Sequence, residues 1–465
     1  MRILKRHGGR MLLPLVAMLM FVAGVVTMSP TPAAAAGNCK GGLFTTDAYG
    51  GRALLAAQKS FGKFCGHDYN DQLGHSCSWV SKPTDGWQCS GDSAPVVPDP
   101  KAGLPDAVVS IGDSFISGEA ARWKGNSSRI VGSRNQTDRA YRSGLTLPYD
   151  QDRVYTGGSC HRGDTAPIHA AFPSSSWPND NALNPGSSPV PGVTAINLAC
   201  SGATTANVHS SADRDGKTPP QTEQLEYVAS RHNIKLVVLS IDGNDLGFSD
   251  LIKSCYLRGL GNQNDCTDST QRKIDDRMAG TLANVELTIN EVQKTLAAAG
   301  ETDYRFVLQS YPTLLPKAGD FRSGINRLSN GCPFSDKLGQ WSNQDFVPGF
   351  DKGLEEVALK GYNQPVEFLS LKEAFVGKEL CHKDVRNVRN GEGNLPAEHE
   401  WVRMVAEIQG TLQESMHPNA YGQIAMGRCL RMLWNNTVNS IYNTFSCTNQ
   451  GQGPQQMTLE GSVRF

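Results

Sequence analysis

From Ala107 onward, short apolar and β-branched runs alternate with longer stretches of helical period, and no other feature of the chain restricts its fold as much. The runs are residues 107–111, 193–198, 235–241, 305–309 and 366–371. Between them Leu282, Val285, Ile289, Val292 and Leu296 recur at steps of three and four, which is one face of a helix. Strands alternating with helices predict an α/β fold with a parallel sheet covered on both faces. Ligands of such sheets bind outside the carboxyl ends of the strands, so the residues that follow each run are where chemistry is to be sought.

The first run is followed by Gly112-Asp113-Ser114-Phe115-Ile116, which sets a serine at the mouth of a strand. Strand-to-loop corners favour small polar residues in any protein, so the triplet gains meaning only from later partners. Gly202, in Asn197-Leu-Ala-Cys-Ser-Gly-Ala-Thr-Thr205, follows the second run. Asn244, in Ser240-Ile-Asp-Gly-Asn-Asp-Leu-Gly-Phe248, follows the third, and His417 lies in Gln413-Glu-Ser-Met-His-Pro-Asn419.

All four are expected at one edge of the sheet. Acyl transfer needs a nucleophile, a base, a group that orients the base, and donors for the oxyanion. Ser114 suits the nucleophile and His417 the base, with Glu414 as acceptor for the far imidazole nitrogen. The amides of Ser114 and Gly202 and the side-chain amide of Asn244 suit the oxyanion donors. Asp113 reads as a hydrogen-bonding support of the nucleophile loop, Glu119 and Arg122 as residues of a solvated helix face, and Asn419 as a helix N-cap.

This ordered set resembles the SGNH (GDSL-type) hydrolase superfamily, whose four blocks contribute Ser, Gly, Asn and His in that order. Cys160-His-Arg, the Leu-Ala-Cys-Ser-Gly-Ala-Thr-Thr segment, Ser-Tyr-Pro at 310–312 and Gln-Glu-Ser-x-His-Pro-Asn look like secreted actinobacterial esterase or lipase members. The likeness covers about residues 104–434. It implies a flavodoxin-like three-layer α/β/α sandwich and hydrolysis of carboxylic esters, with the substrate left open among lipids, acylated sugars, polysaccharide acetyl groups and aryl esters. Phe115 stands where the pattern has leucine, and Glu414 where aspartate is common. Asp242 takes the place of the first glycine of the Gly-x-Asn-Asp block; aspartate tolerates left-handed backbone, but its charge beside Asn244 would oppose an oxyanion unless turned away or paired.

Residues 1–36 have the layout of an export signal, with Arg2, Lys5, Arg6 and Arg10, an apolar core, and small residues up to Ala36. All 12 cysteines follow it, an even number in a chain destined for an oxidising compartment, so a secreted, disulfide-bonded protein is expected. Their order suggests Cys160 with Cys200, Cys255 with Cys266, Cys332 with Cys381, and Cys429 with Cys447. Cys39, Cys65, Cys77 and Cys89 then pair within a small Cys-rich module at 37–92. Its aromatic residues read either as a carbohydrate platform or as a small core. A Pro-rich linker at 93–105, a catalytic domain at 106–447 and a polar tail at 448–465 complete the expected layout.

The formal net charge is −1 and no basic block follows the signal, which argues against a nucleic-acid partner. No Cys-x-x-Cys pair or zinc-like spacing occurs, so no metal and no cofactor are expected. No later stretch reaches the roughly 20 apolar residues of a membrane helix, and a monomer without stable membrane insertion is expected. The Gly- and Asn-rich regions 120–159 and 331–400 read as walls of a cleft or as surface decoration. Neither holds a long apolar run, so a strongly interfacial lipase is not indicated. Three readings stay open: an esterase or lipase, a carbohydrate O-acetylesterase, and a catalytically weak glycan- or cell-wall-binding protein on the same scaffold.

Overall fold

The computed structural model describes residues 101–463 except 128–133, 144–149, 175–187, 213–215, 249–253, 256–265, 323–331, 390, 393–394, 406–408 and 437–442. It also describes three short strands nearer the N-terminus: β1 (Tyr69–Asn70), β2 (Ser76–Val80) and β3 (Gly86–Cys89). These form an antiparallel sheet whose register sets Cys77 opposite Cys89 and Trp79 opposite Trp87. They belong to a compact unit separate from residues 97–465. The expected signal, Cys39, Cys65 and most of the expected linker lie outside the described residues.

In the larger unit, β4 (Asp106–Gly112) reads Asp-Ala-Val-Val-Ser-Ile-Gly, and Ala107, Val108, Val109 and Ile111 are fully buried. A continuous apolar run is what a strand covered on both faces requires. A two-residue pair, β5 (Tyr155–Thr156) and β6 (Arg162–Gly163), precedes β7 (Val193–Asn197) and β8 (Asn233–Ser240). The core continues with β9 (Arg305–Gln309) and β10 (Val366–Ser370). Last come β11 (Thr444–Asn449) and β12 (Met457–Ser462).

The strand order is β12-β11-β10-β9-β8-β4-β7. Its five core strands run parallel in the order 2-1-3-4-5 of one doubly wound topology, with β11 added parallel. Because β12 is antiparallel to β11, the sheet is mixed rather than parallel throughout.

The expected polar tail is therefore a strand. Phe445 and Cys447 of β11 are fully buried and Met457 of β12 nearly so, while Thr448 Oγ1 and Thr458 Oγ1 meet at 2.7 Å across the pair. An edge strand buries only part of its residues, and its polar composition hid it among loops.

Helices cover both faces. α1 (Ser114–Ser117), α2 (Pro167–Ala171) and α8 (Ala420–Asn435) pack together on one side. On the other lie α3 (Thr205–His209), α4 (Gln221–Ala229), α5 (Thr267–Ala298), α6 (Asp336–Trp341) and α7 (Val347–Ala358). This is a three-layer α/β/α sandwich. In α5 the residues Val285, Ile289, Val292 and Leu296 are all fully buried, the face that the three-and-four spacing predicts. One π-helical turn, Ser342–Phe346, joins α6 to α7, so region 331–400 carries regular structure. Among the described residues no helix is long and apolar enough to cross a membrane.

Candidate active site

The site is built where β4 ends. Gly112 has φ +141°, and a Cβ there would lie 1.8 Å from the Ser240 carbonyl oxygen, so only glycine lets β4 and β8 deliver their ends side by side. Gln221 of α4 grips the main chain on both sides of Gly112, accepting from Gly112 N at 2.7 Å and donating to Gly112 O at 2.9 Å. Asp113 then caps α1 by accepting from Phe115 N at 3.0 Å. Its second oxygen takes the Tyr311 hydroxyl at 2.6 Å, and Tyr311 Oη accepts from Gly243 N at 3.1 Å. Burial pushes the Asp113 carboxyl up to about 7. Asp113 thus ties the Ser114 turn, through Tyr311, to the loop after β8.

Ser114 is the first residue of α1, and its Oγ lies 2.7 Å from His417 Nε2. His417 Nδ1 faces the Ser415 carbonyl oxygen at 2.9 Å. A carbonyl only accepts, so the proton belongs on Nδ1 and Nε2 is left to accept from the serine. Burial holds the imidazole below its ordinary value, which keeps it neutral near pH 7. The backbone around it is clamped to the neighbouring segment: Arg403 N donates to His417 O at 2.8 Å and Met416 N to Arg403 O at 2.9 Å. Asn419 caps α8 through Tyr421 N and Gly422 N.

Glu414 does not take the position expected of it. One of its oxygens accepts the Tyr155 hydroxyl at 2.8 Å and the other Thr411 N at 3.0 Å, in a capping box around its own short turn. The Ser415 main chain is what His417 Nδ1 meets instead. Glu119 and Arg122, expected on a solvated face, are buried: Glu119 receives His161, and Arg122 forms a two-pronged ion pair with Asp138 at 2.6 and 2.7 Å.

Gly202 has φ +81° in the loop after β7. Cys200 N donates to Gly112 O at 3.0 Å, and the Cys160–Cys200 disulfide joins this loop to the Cys160 turn. Asn244 Nδ2 donates to Ala203 O at 2.9 Å, while the Asp245 carboxylate accepts from Thr205 N and Thr205 Oγ1 at 2.9 and 2.8 Å. The loops carrying Ser114, Gly202 and Asn244 are thereby stitched to one another. Among the described residues neither Ser114 N nor Gly202 N donates to a protein acceptor.

Asp242 has φ +117° and is fully buried, and neither of its oxygens has a partner among the described residues. Burial, reinforced by Asp245 and Asp113, pushes it up to about 9. It is a neutral acid at pH 7. The anticipated conflict with an oxyanion is removed by protonation rather than by pairing.

Beside the serine lies an apolar pocket lined mainly by aromatic and aliphatic side chains. Phe115, Gly243 and Met416, next in sequence to Ser114, Asn244 and His417, form its inner end. Trp341 and Phe346 of the α6–α7 run form its far wall, where Trp341 stacks on Phe346 at 5.2 Å and Phe346 on Phe248 at 5.9 Å, while Phe350 stacks on Tyr311 at 5.7 Å. The sequence reading missed this wall because its residues are scattered singly through region 331–400. Tyr311 and Gln221 were also missed; the Ser-Tyr-Pro at 310–312 was the one signal for the former.

Disulfides join Cys255 to Cys266, Cys332 to Cys381 and Cys429 to Cys447 as well. Cys332 and Cys381 also approach Glu400, but with both sulfurs in a disulfide no thiolate is left for a metal.

Comparison with known proteins finds no matching family model and no matching curated protein. Among solved structures, the extracellular lipase of Streptomyces rimosus is 21% identical, with a TM-score of 0.40 over 72% of this chain and 100% of its own. Phospholipase A1 of Streptomyces albidoflavus is 19% identical, with a TM-score of 0.38 over 72% and 100%. A carbohydrate acetylesterase of Sinorhizobium meliloti is 12% identical, with a TM-score of 0.30 over 71% and 98%.

Proposed function

We propose that this chain is a secreted serine hydrolase of the SGNH (GDSL-type) kind that cleaves carboxylic esters with an apolar acyl group. The observation that carries the reading is the 2.7 Å contact of Ser114 Oγ with the neutral His417, oriented by a main-chain carbonyl at the mouth of an aromatic pocket. His417 Nε2 takes the serine proton as Oγ attacks the ester carbonyl carbon. The carbonyl oxygen becomes an oxyanion facing Ser114 N, Gly202 N and Asn244 Nδ2. Collapse expels the alkoxide, which takes the proton from His417, and leaves an acyl-Ser114 ester. Water then repeats the sequence, giving its proton to His417 and releasing the carboxylic acid.

The pocket supports an acyl group much longer than acetyl, since aromatic and aliphatic walls gain only by covering apolar surface. This favours an esterase or lipase over an O-acetylesterase. A neutral Asp242 removes the main argument for an inactive scaffold. The test is hydrolysis of p-nitrophenyl esters from acetate to palmitate by the oxidised protein beside Ser114→Ala. Wild-type turnover should rise from acetate to a longer optimum, and the variant should lose about a thousandfold or more in kcat. An optimum at acetate would overturn the acyl assignment, and an active Ser114→Ala the whole reading.

A further inference from the structure

Glu119 is fully buried between the Ser114 turn, the His161 turn, the segment leading to His417 and α8. Its N–H donates to Ser114 O at 3.2 Å, and its main-chain oxygen accepts from Gln423 of α8 at 3.2 Å. Its carboxylate oxygens lie 3.0 and 3.1 Å from His161 Nδ1. Gln413 Nε2, on the turn that leads to His417, reaches the carboxylate at 3.3 Å and donates to Ser201 Oγ, beside Gly202, at 2.8 Å. His161 follows Cys160, whose disulfide to Cys200 holds the same Gly202 loop. The carboxylate thus joins the His161 turn to the segment leading to His417, while the main chain of the same residue holds the Ser114 turn and Gln413 carries the link on to the loop of Gly202.

Resting on the Ser114–His417 reading above, we infer that Glu119, not Glu414, is the positioning residue that holds the base loop and compensates the charge His417 gains, and that His161 gates this support. A neutral His161 leaves the carboxylate a full negative charge near the forming imidazolium. A protonated His161 cancels it.

The charges around the two rings agree with this division. Burial lowers His417, and the largest charge opposing that effect is Glu119, ahead of Glu414. Burial also draws His161 down, but the hydrogen bond and charge of Glu119 outweigh it and leave the ring above its ordinary value. The other groups facing His161 are Glu414 and Arg122. Glu414 is held by the Tyr155 hydroxyl, whose ring stacks on His161 at 4.7 Å, and Arg122 by Asp138. The Glu119–His161 pair thus turns neutral as pH falls, at a pH above the ordinary histidine value.

Full-length oxidised protein serves for the test. In Glu119→Gln, kcat should fall about tenfold with KM within about twofold, a fraction of what a general base supplies. The acid limb of kcat/KM should move to lower pH, because His417 loses the charge that raises it, and Glu414→Gln should move it less. His161→Gln keeps a donor for Glu119 but cannot become charged. Its kcat/KM relative to wild type should rise as pH falls through the His161 titration while His417 is still neutral, and that rise should vanish in a Glu119→Gln background.

An NMR titration of His417 in Ser114→Ala reads the same ionisation without turnover, so a protein that hydrolyses no ester still tests the role of Glu119. A His417 midpoint lowered by Glu119→Gln and restored by Glu119→Asp supports the assignment even if kcat proves too low to measure. Equal shifts from Glu119→Gln and Glu414→Gln, or none from either, overturn it. Loss of ester turnover in every form, with the His417 shift intact, instead overturns the esterase reading.

Discussion

Asp242 holds a left-handed backbone that aspartate adopts at a cost, and it buries a carboxyl group without a partner. Each costs about 1–3 kcal/mol, so Asp242→Gly should stabilise the fold by a few kcal/mol. The gain should grow with pH. The acid titrates near 3.8 when unfolded and about 9 when folded, so the native state binds the extra proton between those values. Its contribution is fully present below 3.8 and is lost as pH rises toward 9. Thermal melts of both proteins from pH 4 to 9 check this, and a difference independent of pH would refute it. The same logic predicts that wild type loses ester turnover above pH 9, as the charge appears beside Asn244, while Asp242→Gly keeps it. The sequence made the residue conspicuous but not its ionisation, which depends on burial by distant segments. The contact of Ser114 with His417 was legible because each follows a recognisable block. Glu414 was misplaced because nearness in sequence to His417 says nothing of Tyr155, the distant residue that captures it.

The elements legible in the sequence were those whose apolar residues form a continuous run or a regular helical period: five core strands and α5. Hidden elements mixed polar and apolar positions, as β11 and β12 do at the sheet edge and as α6 and α7 do around a pocket. The α6–α7 run joins Trp341 and Phe346 into one wall because a π turn carries the helix across Ser342–Phe346. Trp341→Ala should therefore raise KM for long acyl esters several-fold and leave acetate nearly unchanged, since only a long chain reaches the far wall. Equal effects across the ester series would place the acyl group elsewhere. β12 belongs to stability alone. Deleting residues 456–465 uncovers the β11 edge and the buried Phe445, so the melting temperature should fall by several degrees, on the order of 1–3 kcal/mol, with kcat at 25 °C little changed.

Among the described disulfides, one holds a helix to the sheet and another holds two loops of the site together. Cys429–Cys447 ties α8 to β11, and Cys160–Cys200 ties two loops at the carboxyl edge. Their sequence separations are 18 and 40 residues. Loop-closure entropy then gives similar losses for removing either bond, about 3–4 kcal/mol. Function should separate them. Ser201 N donates to Cys160 O at 3.0 Å, directly before Gly202, so the second bond fixes the direction of a proposed oxyanion donor. Losing one well-aimed donor costs about a hundredfold in kcat or more. The paired change Cys160→Ser with Cys200→Ser should thus lower kcat at least about tenfold under conditions where the protein remains folded, partial misalignment being milder than deletion. Cys429→Ser with Cys447→Ser should lower the melting temperature by a similar amount while kcat at 25 °C stays within about twofold. Measured on proteins shown by circular dichroism to be folded, a kcat within about twofold of wild type in both paired variants would mean that the Gly202 loop keeps its direction without its disulfide, held by the Arg162 hydrogen bonds to Leu198 O and Ala199 O.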